Sequence, residues 1–264
     1  MAEPIVLVIG LGEIGMPLFE LIKKAYPKAC GIDIKPAAIT ESVDYMHICY
    51  PYTPTNDFIE ATEKYAKKYK PKTIIIHSTV VPGTTKNIAL RTKIPTIYSP
   101  VRGKHSNMAA DLLHYHKFVA GTDDEAVSKI ASHFKKVGLK TTILSAPESL
   151  ELAKLVETTY FGLLIAFAQN IERFAKACGA DYNELHKFFG EVGYLPKHQF
   201  TPGYIGGHCI MPNIELLNSC FKSEILEAIK TSNEIKGIEL GQAAINREHG
   251  KNRTRVTPVK IEHS

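Results

Sequence analysis

Short apolar segments alternate with amphipathic ones along the first 145 residues. Several of the apolar segments have almost no polar positions, which is typical of parallel strands covered on both faces. The segments between them have the three-and-four spacing of helices. This alternation predicts an α/β domain with a doubly wound parallel sheet over residues 1–145. The predicted strands are Ile5–Ile9, Cys30–Asp33, Tyr45–Cys49, Thr73–His77, Thr96–Tyr98, Lys117–Ala120 and Thr141–Leu144, and the helices are near Ile14–Lys24, Phe58–Tyr69, Thr84–Arg91 and Asp123–Lys136.

The pattern changes after residue 145. Apolar residues recur every three or four positions from Leu152 to Phe174, which predicts one helix over residues 146–178. At 1.5 Å per residue that helix would be roughly 50 Å long, enough to join two parts of the molecule or to pack against a second subunit. Shorter helices are predicted over 183–189, 214–220 and 224–242. We therefore expect a mostly α-helical domain over 146–248 and a basic, flexible tail over 249–264.

Composition and charge narrow the class of protein. The 264 residues are 44% hydrophobic and 22% charged, as in ordinary globular chains. The net charge is +5, and residues 247–264 contribute +3 of it through five basic and two acidic side chains, so nucleic-acid binding is not expected. No apolar run is long enough to span a membrane, and no secretory leader opens the chain. Five cysteines, an odd number, favour a reducing cytoplasm.

The first predicted strand ends in Gly10-Leu11-Gly12-Glu13-Ile14-Gly15, a G-x-G-x-x-G sequence that opens a helix. In a Rossmann-type fold the three glycines provide a tight turn, close approach of the pyrophosphate, and close packing of helix on strand. The helix start at Ile14 would supply N–H groups for the phosphates. Asp33 would accept a hydrogen bond from a ribose hydroxyl, which favours NAD over NADP, although Lys35 weakens this preference. The alternative is a plain strand-to-helix turn.

A second glycine-rich segment, Pro202-Gly-Tyr-Ile-Gly206-Gly207-His208-Cys209, precedes another predicted helix. A thiol beside such a turn and near a helix N-terminus is placed for a lowered pKa and for nucleophilic catalysis. The alternative is that Cys209 is a small buried hydrophobic residue. The residue chemistry alone leaves these two alternatives open.

Five segments in order resemble the UDP-glucose/GDP-mannose dehydrogenase family. They are Gly10–Leu18, Ser78–Thr85, Tyr98–Pro100, Glu151–Tyr160 and Gly206–Ile210. The resemblance implies an NAD-dependent oxidoreductase that oxidises the primary alcohol of a sugar-like substrate, which is nucleotide-linked in that family. It also implies a homodimer that packs through the long helix.

The resemblance assigns roles to individual residues. Cys209 would add to the aldehyde as a thiohemiacetal, and Lys154 would stabilise the developing oxyanion. Thr79 would lie near the nicotinamide and the reactive water. Tyr50 and Pro51 would belong to the nicotinamide-side loop.

The sequence also departs from the family pattern. Val101 stands where a glutamate is assigned to thioester hydrolysis, and His105 stands near a second glutamate position. In the expected catalytic set, Thr158 replaces an asparagine and Asn213 replaces an acid that activates water. Neither Val101 nor Asn213 can accept a proton at neutral pH, so the hydrolytic half of the reaction is expected to be impaired. His105 is a hypothetical substitute base. The chain stops roughly where the family's third, nucleotide-binding domain would begin.

Three further expectations concern the substrate and the reaction class. Arg102, Lys104 and His105 form a short cationic run, and with Gly206 and Gly207 they are predicted to contact substrate. His105, His114 and His116 have no spacing that fixes a metal site, and no metal is predicted. A one-hydride hydroxy-acid dehydrogenase and a non-catalytic NAD-binding or partner-binding protein remain the alternative functions.

Overall fold

The chain is described by a computed structural model over residues 3–33, 42–52, 57–103, 107–195 and 200–241. It divides into two compact units, residues 1–155 and 156–264. The division falls inside the long helix, whereas the sequence analysis placed it at the start of that helix. The predicted tail over 249–264 lies outside the described residues, and so does Lys35.

A seven-stranded sheet forms the centre of the first unit, and the predicted α/β class is confirmed. The strand order is β2-β1-β3-β4-β5-β6-β7. The strands β1 to β5 are parallel, whereas β6 runs antiparallel to β5, so the sheet is mostly rather than wholly parallel. The strands are β1 Val6–Ile9, β2 Cys30–Ile32, β3 Tyr45–Ile48, β4 Thr73–Ile76, β5 Thr96–Tyr98, β6 Lys117–Gly121 and β7 Thr141–Ile143.

The strand β6 runs antiparallel to β5, so it begins at the edge of the sheet where β5 ends. The described part of the connection between them includes a helix of seven residues, Met108–His114. This helix was not predicted, because it lies between Gly103 and the turn at Tyr115, in a stretch that suggested a loop.

The described helices otherwise follow the predicted pattern. The helix at Ile210 begins four residues earlier than predicted, since Pro212 occupies its first turn, where a missing N–H removes no helical hydrogen bond. The helices are α1 Gly15–Ala25, α2 Asp57–Tyr69, α3 Thr84–Thr92, α4 Met108–His114, α5 Asp124–Lys136, α6 Pro147–Cys178, α7 Tyr182–Gly190, α8 Ile210–Cys220 and α9 Glu224–Leu240.

Apolar side chains cover both faces of the sheet. Leu18 of α1 and Ile130 of α5 pack in one cluster with Val6 and Val8, while Phe58 of α2 and Ile88 of α3 pack in the other. Burial on both faces explains why the strands have so few polar positions. Within the described residues, no helix is long and apolar enough to cross a membrane.

The second unit contains the larger part of α6 together with α7, α8 and α9. Helix α8 approaches α6 closely at Gly162, where an added Cβ would lie 2.8 Å from a methyl group of Ile210 and 3.1 Å from one of Ile214. A larger residue at Gly162 would therefore displace the beginning of α8, which carries the glycine-rich segment and Cys209.

Candidate active site

The three glycines of the turn after β1 have different surroundings. Gly10 has φ +90°, and a Cβ on it would lie 2.7 Å from the backbone nitrogen of Tyr50. A Cβ on Gly15 would overlap the carbonyl oxygen of Gly10. Gly12 is exposed, and a Cβ there would meet nothing within 4 Å. Packing thus explains Gly10 and Gly15, whereas the space over Gly12 is open for an external group such as a pyrophosphate.

This turn lies where ligands bind in open α/β sheets. The chain reverses its direction of winding between β1 and β3, and the crevice at their carboxyl ends is the expected ligand position. Asp33 follows β2 directly and is exposed, and Tyr50 and Pro51 follow β3. Ile14 is the N-cap residue of α1, so the first N–H groups of that helix face the same edge, where Glu13 is also exposed. These residues fit a dinucleotide.

Hydrogen bonds fix the loops after β3 and β4 to each other. Ser78 Oγ donates to the carbonyl oxygen of Tyr50 at 2.5 Å, and the Tyr50 hydroxyl lies 2.6 Å from Thr62 Oγ1 on α2. Thr79, half-buried, is the next residue after Ser78. The predicted cofactor residues Gly10, Tyr50 and Thr79 therefore belong to one connected edge of the sheet.

Glu151 on α6 connects that loop to the long helix, a role that the sequence analysis missed. Its carboxylate accepts hydrogen bonds from the N–H of Gly83 at 2.6 Å, the N–H of Thr85 at 2.8 Å and Thr85 Oγ1 at 2.6 Å. Burial raises its pKa, while these donors act in the opposite direction. The carboxylate occupies the free amides at the start of α3. Lys154 lies one turn further along the same helix.

Val101 and Arg102, which follow the Ser-Pro segment, both pack against neighbouring side chains. Val101 is 6% exposed and packs in the apolar cluster with Met108 and Leu112, so no acid can act from that position. The Arg102 guanidinium lies over the rings of Tyr115 and Phe118, at 5.6 and 5.5 Å from their centroids. Lys104 and His105 lie outside the described residues, so the predicted cationic run is seen only at its first member.

A buried polar cluster below this edge was also missed. Lys117 Nζ donates to the carbonyl oxygens of Ser99 and Pro100 at 2.6 and 3.1 Å. His77 Nδ1 lies 2.7 Å from the same Ser99 oxygen, and its Nε2 lies 2.9 Å from His47 Nδ1. Desolvation lowers the pKa of Lys117 to about 7 and holds the pKa of each of these histidines well below its ordinary value. The only sequence signal was a polar residue within an otherwise apolar strand.

In the second unit, Cys209 is exposed and is the N-cap residue of α8. The prediction of a thiol near a helix N-terminus is met more closely than the sequence indicated, because α8 begins at the next residue. Gly207 has φ +83°, a conformation that favours glycine. Gly206 is half-buried.

Asn213 and Thr158 lie together in the second unit. Asn213 Nδ2 donates to Thr158 Oγ1 at 3.1 Å, and Asn213 is buried. Neither group titrates near neutral pH, so this pair cannot remove a proton from water. Thr158 follows Lys154 by one turn of α6. The assignment of both to catalysis remains a prediction.

Among the described side chains, no three His, Cys, Asp or Glu residues are grouped closely enough to hold a metal ion. His114 and His116 are exposed, and His116 Nδ1 lies 2.9 Å from Thr142 Oγ1. His105 lies outside the described residues, as noted above.

Known proteins resemble this chain in sequence and in fold. Residues 148–235 match the model of the UDP-glucose/GDP-mannose dehydrogenase family, central domain. The chain is 25% identical over 212 residues to a UDP-N-acetyl-D-mannosamine dehydrogenase of Methanocaldococcus jannaschii, covering 74% of this chain and 48% of that protein. The chain spans about half the length of the curated relatives it matches.

Two solved structures share the fold. A UDP-D-ManNAc dehydrogenase from Pyrococcus horikoshii superimposes with a TM-score of 0.79 at 19% identity, covering 93% of this chain and 72% of that one. A 3-hydroxyisobutyrate dehydrogenase from Mycobacterium tuberculosis, solved with L-serine, gives 0.67 at 13% identity and covers 90% of this chain and 94% of that one. The resemblance that the motifs suggested is thus confirmed: residues 148–235 match the central domain of the UDP-glucose/GDP-mannose dehydrogenase family.

Proposed function

We propose that the chain is an NAD-dependent dehydrogenase of a sugar-like primary alcohol, nucleotide-linked as in its relatives. One observation carries the proposal: the match to the central domain spans Lys154, Thr158, Cys209 and Asn213, the four residues assigned to chemistry in the second half of the site. The glycine turn of the first unit supports the cofactor assignment.

The carboxyl edge of the sheet would hold the cofactor. Gly12 and the first amides of α1 would face the pyrophosphate, and Asp33 would accept from a ribose hydroxyl. NAD, when bound, accepts a hydride from the carbon being oxidised. Ser78 and Glu151 keep the Thr79 loop in place from its two ends, so that Thr79 would stay beside the reacting carbon.

Cys209 and Lys154 would act on the carbonyl that the first oxidation produces. The thiol sulfur forms a bond to the aldehyde carbon and its proton passes to the oxygen, giving a thiohemiacetal. Loss of a second hydride, to a second NAD that replaces the NADH, and of the hydroxyl proton to solvent would convert this adduct to a thioester. The ammonium group of Lys154 would stabilise negative charge on the oxygen in these steps.

Hydrolysis of that thioester finds no base at positions 101, 158 and 213. Val101 is part of the apolar core, and Asn213 and Thr158 bond each other without an ionisable group. Water at these positions would attack without general-base assistance, which typically contributes a factor of about 100 or more to the rate. His105 is the remaining candidate for a substitute base. The expected products are an aldehyde or a long-lived thioester on Cys209.

The stoichiometry of NADH tests this proposal. Purified chain, NAD and a panel of UDP- and GDP-sugars would be incubated, and NADH formed per sugar consumed would be measured. One NADH per sugar, with the aldehyde released, supports the impaired reaction. A single turnover that yields two NADH per chain and leaves a thioester on the Cys209 peptide, detected by mass spectrometry, also supports it. Two NADH per sugar over many turnovers would contradict the impairment but not the reaction class. NAD binding without turnover of any sugar would contradict the reaction class.

A one-hydride hydroxy-acid dehydrogenase is the second candidate. The observation that favours it is the fold shared with the 3-hydroxyisobutyrate dehydrogenase, nearly all of whose chain is covered. One-hydride oxidation needs no thiol, so turnover of a 3-hydroxy acid that survives Cys209→Ala would favour this candidate. The non-catalytic alternative would be favoured if NAD bound and neither substrate panel reacted.

We also propose that the chain forms a homodimer through α6. Val156, Tyr160, Phe167 and Phe174 are large, exposed residues of the second unit. At 100° per residue they fall within a stripe about 40° wide on one helix face. An exposed apolar stripe of this length is typical of a surface that associates.

A further inference from the structure

The glycine-rich segment that leads to Cys209 is held by a buried side-chain amide. Asn233 Oδ1 on α9 accepts the N–H of Ile205 at 2.7 Å, and Asn233 Nδ2 donates to the Ile205 carbonyl oxygen at 3.0 Å. The amide thus pairs with both polar groups of one residue, as a neighbouring β-strand would. Asn233 and Ile205 are each 3% exposed, so water does not compete for these bonds.

A second buried amide holds the same segment two residues earlier. Gln169 Nε2 on α6 donates to the carbonyl oxygen of Gly203 at 2.7 Å. Its Oε1 accepts from Ser232 Oγ at 2.8 Å, which fixes which way the amide faces. Gln169 is fully buried. The bond from Ser232 therefore orients the Gln169 amide so that its nitrogen faces the carbonyl oxygen of Gly203.

These contacts do more than join two helices. Residues 201–206 form neither helix nor strand, so their buried backbone groups need partners from side chains. Apolar residues at 169 and 233 would pack α6 against α9 but would leave the groups of Gly203 and Ile205 unpaired. From Ile205, only Gly206, Gly207 and His208 separate the held backbone from Cys209.

We propose that Asn233 and Gln169 are positioning residues, which fix the backbone before α8 and thereby set the reactivity of the Cys209 thiol. The inference rests on the proposed function for the role of Cys209 as the nucleophile. The two amides touch no substrate atom in this account. They act through the peptide groups of Gly203 and Ile205.

The test compares thiol reactivity and local backbone protection in Asn233→Ala, in the isosteric Asn233→Asp, and in Gln169→Leu. A small disulfide reagent modifies the full chain, and mass spectrometry reads the rate at Cys209 against Cys178 and Cys220, which are also exposed and serve as internal standards. Hydrogen exchange is read on the peptide covering residues 203–209. Asn218→Ala is the matched control, because Asn218 is a buried amide that bonds Glu227 at 2.7 Å and does not touch the loop.

We expect faster exchange over residues 203–209 and slower modification of Cys209 in the Asn233 and Gln169 variants, with Cys178 and Cys220 unchanged. A tenfold smaller fraction of Cys209 thiolate would lower the rate only about threefold. The smaller fraction is partly offset because the thiolate of a less acidic thiol is the better nucleophile. Should Asn233→Ala fail to fold, Asn233→Asp keeps the volume and one acceptor, while its carboxylate repels the Ile205 carbonyl oxygen.

Unchanged exchange of the 203–209 peptide would overturn the inference, and so would faster exchange with an unchanged rate at Cys209. Equal slowing of all three cysteines, or an equal effect of Asn218→Ala, would show a general loss of structure and would also overturn it. If Cys209 of the unmodified chain reacts no faster than Cys178, the nucleophile assignment fails. Exchange of the 203–209 peptide then decides the positioning claim alone.

Discussion

Asn213 donates a hydrogen bond to Thr158 across the interface of α8 and α6, with 3.1 Å between Nδ2 and Oγ1. Neither side chain of this pair can take a proton from water at neutral pH. Replacing the amide by a carboxylate of the same shape is therefore an instructive change.

Asn213→Asp should restore a base to the hydrolytic step. The expected result is a rise in NADH per sugar from one towards two, with a pH profile that follows one ionising carboxyl group. Asn213→Ala is the control, since it removes the amide without adding an acid and should leave the ratio at one. A ratio of one in both variants would contradict the assignment of this position to hydrolysis.

Gly12→Ala should weaken NAD binding with little effect on stability, whereas Gly15→Ala should lower stability. Nothing lies within 4 Å of a Cβ at Gly12, so the free energy of unfolding should change by no more than about 0.5 kcal/mol. The methyl group would occupy the space required by a pyrophosphate, and NAD affinity should fall at least about tenfold, or 1.4 kcal/mol.

Gly15→Ala should instead unfold the first unit more easily, because its methyl group overlaps the Gly10 carbonyl. Calorimetric titration with NAD and urea denaturation measure the two effects separately. Gly190→Ala, another open position, is the control for both. Unchanged NAD affinity in Gly12→Ala would contradict the placement of the cofactor.

The stability of the first unit should rise with pH above 7. Burial lowers the pKa of Lys117 to about 7, whereas an unfolded lysine keeps its proton to about pH 10. Between these values the unfolded state binds one more proton, so the free energy of unfolding increases by up to about 1.4 kcal/mol per pH unit. Urea midpoints from pH 7 to 8.5 measure this slope, a range chosen because Cys49, whose pKa burial raises to about 12, opposes it at higher pH.

Lys117→Met should flatten that slope, although it also lowers stability overall by removing the donor to the Ser99 and Pro100 carbonyl oxygens. The slope, not the midpoint, is the readout. Burial holds the pKa values of His47 and His77 well below normal, so below pH 6.5 the unfolded state binds more protons than the folded state. The free energy of unfolding should therefore fall as pH drops below 6.5, in the parent chain and in Lys117→Met alike. An unchanged alkaline slope in Lys117→Met would exclude Lys117 as its source.

Phe167→Asp should weaken self-association. Phe167 and Phe174 are 58% and 61% exposed on the apolar stripe of α6, and a carboxylate there would lose its hydration in a packed interface. Light scattering across a concentration series should show a dimer for the parent chain and a monomer for the variant. Lys176→Asp, off the stripe on the same helix, is the control. A parent chain that stays monomeric would contradict the dimer.

The sequence predicted those features whose causes are local. The seven strands and the long helix follow from periodicity, and the turn after β1 follows from the G-x-G-x-x-G motif between a strand and a helix. The helix at Ile210 was predicted to start late because proline was treated as a boundary, although its position in the first turn is permitted.

Contacts between distant residues were not accessible in this way. Glu151 bonds Thr85 across 66 positions, and Asn233 bonds Ile205 across 28. Each is an ordinary polar residue on a helix, and such residues usually face solvent. Lys117 begins a strand, where a lysine normally marks an edge, and only the fold shows that it is 4% exposed.

The two positions at which the family resemblance leads us to expect an acid differ in how easily they could accept one. Asn213 already has the shape of a carboxylate and a hydroxyl group to receive it, so one base change in the codon could return an acid there. Val101 is enclosed by Met108 and Leu112, and a glutamate would introduce an unpaired charge into that cluster. A single substitution can therefore introduce a buried acid at position 213, whereas an acid at position 101 would also require polar replacements among the surrounding apolar residues.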